Sequence, residues 1–222
     1  MNPEELKNIL AEHQLWLESG GRSGRKANLH KAHQRFFCLQ GIDLAEANLA
    51  EANLQAIYTK FTNLQRADLQ KTNLQYAYLV KVNLMEANLK KANLIKTDLR
   101  DANLQYANLN FAKLNEANLK GANLKRANLQ RANLMKANLQ NANIEAANLG
   151  KADLYNAKLQ QANLTNCDLR RANLGGSNLC GTKLENVKLE DTILRNVIID
   201  KDNVSKLPPR ILKKYESTFL VV

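Results

Sequence analysis

The sequence predicts an all-β solenoid, and three observations predict it: leucine recurs every five residues, a small residue stands two places before each leucine, and five suits neither common regular structure. From Leu29 to Val204 in steps of five there are 36 positions; 34 of them are Leu, Ile or Val, and only Gln34 and Thr59 break the series. The small residue is usually Ala, as at Ala87, Ala92, Ala102 and Ala107, with Asn or Asp between and exceptions such as Tyr78 and Lys113. On an α-helix a step of five turns the leucine by about 140° and leaves no apolar stripe. On a straight strand an odd period sends successive leucines to opposite faces. Within one pentad, however, Ala and Leu lie two apart, so a short extended piece points both inward. The other three residues must bend the chain. Bends of one sense coil it into a prism with Leu and Ala inside.

The consecutive run ANLKR, ANLQR, ANLMK, ANLQN from Ala122 to Asn141 carries the motif A(N/D)LXX without interruption. In this the chain resembles the pentapeptide-repeat proteins, over about four-fifths of its length. The resemblance implies a right-handed quadrilateral β-helix, the repeat-five-residue fold, with four pentads per coil and about nine coils. At the strand spacing that is a rod of roughly 40 Å. Leu29, Leu49, Leu69, Leu89, Leu109 and Leu129 then stack on one face. Each fully buried aliphatic side chain contributes about 1.5 to 3 kcal/mol of gross driving force. Departures from Ala cluster toward the ends, with Phe37 and Ile42 early and Cys167, Ser177, Thr182, Val187, Thr192 and Val197 late, where the girth is expected to change. The Asn column is expected to hydrogen-bond along the stack or to neighbouring turns.

A solenoid leaves strand edges open at both ends, and the flanks read as caps. The division expected is a capping helix and Gly-rich linker over 1–26, the repeats over 27–204, and a helical or irregular cap over 205–222. Asn2 suits an N-cap, Pro3 the first helical position, and Glu4 and Glu5 the positive end of the dipole. Leu6, Ile9, Leu10, Trp16 and Leu17 would cover the first coil. After Pro208 and Pro209, the apolar set Ile211, Leu212, Tyr215, Phe219 and Leu220 either caps its own rod or meets a second copy end to end.

Chemistry is nearly absent from the sequence, and the chain reads as no enzyme, without cofactor or metal. His30, His33 and Cys38 have a metal-like spacing but fall on three different faces of the predicted prism. GGRSG, starting at Gly20, lacks the Lys-Ser or Lys-Thr ending of a phosphate loop and reads as a linker. Three cysteines form no disulfide framework and point to a reducing, cytoplasmic setting. The N-terminal 20 residues lack the basic and apolar regions of a secretory signal, and no run of 18 apolar residues argues for a membrane span.

The net charge is +11, from 32 Lys plus Arg against 21 Asp plus Glu. Between Leu29 and Val204 the two outward positions after each leucine carry 20 basic and 10 acidic side chains. The best-known members of the family bind DNA gyrase by imitating DNA with an acidic rod; this sign is opposite and argues against gyrase modulation. One predicted face stacks Lys71, Lys91, Phe111, Arg131, Lys151 and Arg171, which is either a solvated face or a polyanion-binding stripe for nucleic acid. Around Thr59 the motif fails, with Tyr58 and Tyr78 replacing Asn one coil apart and Phe61, Tyr76 and Val80 beside them. That cluster reads either as a protein-binding surface or as an aromatic pair that stiffens two coils. The function expected is a scaffold in the bacterial cytoplasm, binding an unknown protein as monomer or end-to-end homodimer. In the resembling family such members abound in cyanobacteria.

Overall fold

The computed structural model describes residues 2–33 and 39–222, apart from the Glu216 side chain. Gln34, Phe37 and Cys38 lie outside the described residues.

A single pentad shows why the chain repeats. In 107–111, Ala107 N–H donates to Leu104 O at 3.1 Å, Asn108 N–H to Ala87 O at 2.9 Å, Leu109 N–H to Asn128 O at 2.7 Å and Phe111 N–H to Gln130 O at 3.0 Å. The remaining donor, Asn110 N–H, meets the Asn108 side-chain oxygen at 3.2 Å. Every backbone N–H of the pentad is thereby satisfied, as a tightly wound chain requires. The Asn of the motif supplies the acceptor that the backbone does not, by an Asx turn. Its amide also donates along the stack, as from Asn103 to Asn83 at 3.2 Å.

The bridges between coils are parallel and join residues 20 apart, such as Asn48 with Asp68 and Asn88 with Asn108. One coil is therefore four pentads, and the rod is a repeat β-helix. Among the described residues before Ile198 the coils join by single bridges, because each extended piece reaches a corner after about two residues. The corner is a turn closed by a bond such as Ala112 N–H to Leu109 O at 2.9 Å. Its second central residue is left-handed: Lys91 has φ 60°, Tyr106 59°, Phe111 58° and Arg131 56°. A type II turn demands that φ, normally supplied by Gly. Here it is imposed on bulky and charged residues, at about 1 to 2 kcal/mol each.

The interior is the Leu column and the Ala column, with Leu89, Leu109, Ala107 and Ala122 fully buried. Threonine enters the Ala column at Thr72, Thr97 and Thr192 by donating its hydroxyl to the carbonyl 23 residues earlier, at 2.8 Å in each case. Cys167 lies in the same column, and burial pushes its thiol up to about 12.

Helical segments flank the rod on both sides. Helix α1, Pro3–Glu18, begins with a capping box in which Asn2 accepts from Glu5 N–H and Glu5 accepts from Asn2 N–H. It lays Leu6 and His13 against the first coil, fully buried or nearly so, with Ile9 and Leu10 partly buried. His13 Nδ1 accepts from Ala27 N–H at 3.1 Å, and its ring stacks on Trp16. At the far end the pentad pattern continues in sequence to Val204, but the backbone leaves it after β1, Ile198–Ile199. Asp200 caps helix α2, Lys201–Ser205, by accepting from Asn203 N–H at 2.9 Å, so Val204 lies on a helix and adds no pentad to the rod. Helix α3, Pro209–Tyr215, buries Ile211 and Tyr215, and the Tyr215 hydroxyl donates to Thr192 O at 3.0 Å. Strand β2, Leu220–Val221, then pairs parallel with β1. Phe219 is buried and Leu220 is exposed. Among the described residues no helix is long and apolar enough to cross a membrane.

Candidate functional site

The tyrosine column is the place where the pentad is locally given up. Tyr58 and Tyr78 stack face to face, with ring centroids 4.7 Å apart and planes at 3°. A tyrosine offers its own turn no side-chain oxygen two residues on, so both corners lose the Asx acceptor that Asn supplies elsewhere. Two net hydrogen bonds are worth about 1 to 3 kcal/mol together. One offset aromatic pair returns about 0.5 to 1.5 kcal/mol. Ring pairing by itself is thus worth no more than the two turn hydrogen bonds it replaces.

What it does supply is exposed ring surface. Phe61 is 51% exposed, Tyr76 50% and Tyr58 40%. Lys60 Nζ lies 4.7 Å from the Phe61 ring centroid and Lys81 Nζ 6.0 Å. Arg100 grips Asp98, the next residue of the tyrosine column, at 2.7 to 3.0 Å through two nitrogens. The result is an apolar surface with cations at its margin. Val80, expected within it, is instead 7% exposed. It is flanked in its column by the long side chains at Lys60 and Arg100 and offers a partner almost nothing.

The basic stripe is divided by its own carboxylates. Lys71 pairs with Glu51 at 2.7 Å, holding that carboxyl below its usual range, and Arg171 pairs with Asp191 at 3.5 Å. Arg131 lies over the Phe111 ring at 5.2 Å. Among the described residues Lys91, Arg131 and Lys151 have no carboxylate within 4.0 Å. A continuous positive rail is thus reduced to Lys91 and the neighbouring pair Arg131 and Lys151.

Of the residues expected at the ends, Leu6, Ile211, Tyr215 and Phe219 are buried against the rod, with Leu10 and Leu212 partly buried beside them. Trp16 carries Lys26 over its ring at 4.7 Å. Leu220, Val221 and Val222 face outward at 55%, 46% and 69% exposure. Two further exposed rings, Tyr106 and Tyr155, were not singled out from the sequence, and Phe111 was named there only as a member of the basic stripe. Their outward pentad positions marked them as exposed, but none has a second ring in its column.

The sequence model for "Pentapeptide repeats" matches the chain in 8 copies, over segments running from 62–101 to 157–196. No curated protein matches the chain in sequence. Among solved structures, HetL, described as involved in heterocyst differentiation regulation in the cyanobacterium Nostoc sp. strain PCC 7120, is 28% identical; the match covers 84% of this chain and 95% of that one, with a TM-score of 0.51. Two trypsin-treated forms of QnrB1, described as a plasmid-mediated fluoroquinolone resistance protein, superpose with TM-scores of 0.63 and 0.65 at 17% identity, each covering 83% of this chain and 92% of that one. That likeness is one of fold. With the family model matched over more than half its length and the 20-residue coil in its backbone, the chain belongs to the pentapeptide-repeat family.

Proposed function

We propose that the protein is a non-enzymatic scaffold of the bacterial cytoplasm that binds another protein through the surface of Tyr58, Tyr78, Phe61 and Tyr76. The observation that carries this reading is the exchange at the tyrosine column: turn hydrogen bonds are surrendered there and exposed aromatic surface is gained. Rings that remain outside, rigidly spaced and bordered by Lys60 and Lys81, suit a partner segment presenting apolar side chains among carboxylates. The rod behind them is read as right-handed and four-sided, of about nine coils, closed by α1 at one end and by 205–222 at the other. The stacked bridges and the buried cap residues support that reading.

Gyrase modulation of the DNA-mimic kind is disfavoured by the +11 charge, since a basic DNA-binding saddle repels a basic rod. End-to-end pairing through the outward edge of β2 is favoured by the exposed Leu220 and Val221 and by Val222 beyond them. The test of the main proposal is quantitative affinity capture from the native host with the wild type and with Tyr58→Asn/Tyr78→Asn, which restores the motif. A partner enriched by the wild type and lost from the double variant supports the proposal; an identical captured set overturns it.

A further inference from the structure

The corner column that contains Gln130, Gly150, Arg170 and Glu190 has a gap at its centre. Gly150 does not have a positive φ, so its backbone makes no demand for glycine. A Cβ there would meet Asn148 Oδ1 at 3.3 Å, Arg170 O at 3.8 Å and Gln130 Cγ at 3.9 Å. The same pentad position elsewhere carries glutamine, at Gln70 and Gln130. Gly150 lines a surface depression of about 530 Å³ whose wall includes Arg131, Lys151 and Arg171.

Three carboxylates also line it, and each is already held. Asp168 is gripped by Arg170 at 2.6 and 2.9 Å, which keeps its carboxyl below the usual range. Glu190 is bound by Arg210 at 2.8 Å and Asp191 by Arg171 at 3.5 Å. That leaves Arg131 and Lys151, one coil apart, facing the depression with no carboxylate within 4.0 Å among the described residues. Stacking on Phe111 restrains the Arg131 guanidinium, so less freedom is lost when its planar fork closes on an anion. Two cations from adjacent coils of one column, on the wall of a single depression beside a residue without a side chain, suit a compact multivalent anion.

We infer that the notch at Gly150 binds the phosphate group of a small molecule, held between Arg131 and Lys151. This goes beyond the protein-binding surface, which lies on the earlier coils and shares no residue with it.

The experiment is titration calorimetry of the full chain with inorganic pyrophosphate, repeated for Gly150→Gln, Lys151→Gln and, as a charge control away from the notch, Lys120→Gln. Gly150→Gln fills the notch and leaves every charge in place. Saturable binding that weakens about tenfold or more in Gly150→Gln and in Lys151→Gln, as loss of a charge-assisted contact requires, and is unchanged in Lys120→Gln, supports the assignment. Thermal melting of each variant shows that it is folded. Absence of saturable binding up to about 5 mM overturns the assignment. So does equal binding by wild type and Gly150→Gln. Retention of duplex DNA alike by wild type and Gly150→Gln, with no pyrophosphate bound, assigns the cations to a bare electrostatic surface and likewise overturns it.

Discussion

Two substitutions in the inward column, Thr97→Ala and Ser177→Ala, both move the sequence toward the motif, yet the structure requires them to act in opposite directions. Thr97 is fully buried and its hydroxyl donates to Leu74 O at 2.8 Å. Leu74 O keeps the Ala77 N–H at 3.0 Å when the hydroxyl is removed, so no carbonyl is orphaned. The loss is one buried hydrogen bond, about 1 kcal/mol, and one buried methyl, about 0.8 kcal/mol, for a destabilisation of about 2 kcal/mol. Ser177 is equally buried, but its hydroxyl has no hydrogen-bond partner among the described residues. Deleting an unpaired buried hydroxyl stabilises by about 1 kcal/mol. For a chain of this length each kilocalorie moves the melting temperature by about 2 to 4 °C. Urea unfolding of wild type and both variants, compared at a common slope, measures the difference. Shifts of one sign for both variants refute the hydrogen-bond account of the column and leave the consensus alone as its explanation.

Other consequences follow from the corners, the cap and the thiols. Lys136 sits at φ 57°, so Lys136→Gly removes the left-handed strain at the expense of unfolded-chain entropy and should raise stability by about 0.5 to 1 kcal/mol in urea unfolding. His13 is buried, and desolvation, partly opposed by Asp43, holds its pKa below 6.5. The folded state therefore binds fewer protons than the unfolded state just below pH 6.5, and stability falls as pH drops through that value. Melting at pH 7.5 and about 5.5 should show the loss, and His13→Asn, which keeps a side-chain acceptor for Ala27 N–H without a titrating group, should flatten it. Cys167, with its thiol pushed up to about 12, should resist iodoacetamide at pH 8 in the native protein and react once the rod is unfolded, as peptide mapping reads directly.

The leucine column was legible because a single period governs it, and the inward threonines were recognisable as departures within that period. The asparagine was recognisable as a column. Its role in completing the hydrogen bonds of the pentad, as at Asn108 and Asn110, emerges only when the four backbone partners are known. The left-handed corners were hidden, because Lys91, Tyr106 and Arg131 have no preference for positive φ and owe it to the ladders on either side. Val204 continued the pattern in sequence, but the Asp200 cap diverts the chain into a helix first. Along the basic stripe, position sets only which residues share a column, whereas the pairing of Lys71 with Glu51 and Arg171 with Asp191 depends on which side chains lean toward each other. Gly150 was unremarkable in sequence, since the significance of a missing side chain lies in what surrounds it.

The aromatic surface is tested most directly by placing a photo-reactive phenylalanine analogue at Phe61 and, as a control on an equally outward ring, at Tyr155. Irradiation in extract of the native host should give a discrete protein adduct from position 61, absent from position 155 and diminished when Tyr58 and Tyr78 are both replaced by Asn. The same adducts from both positions, or none from 61, would contradict binding through this surface.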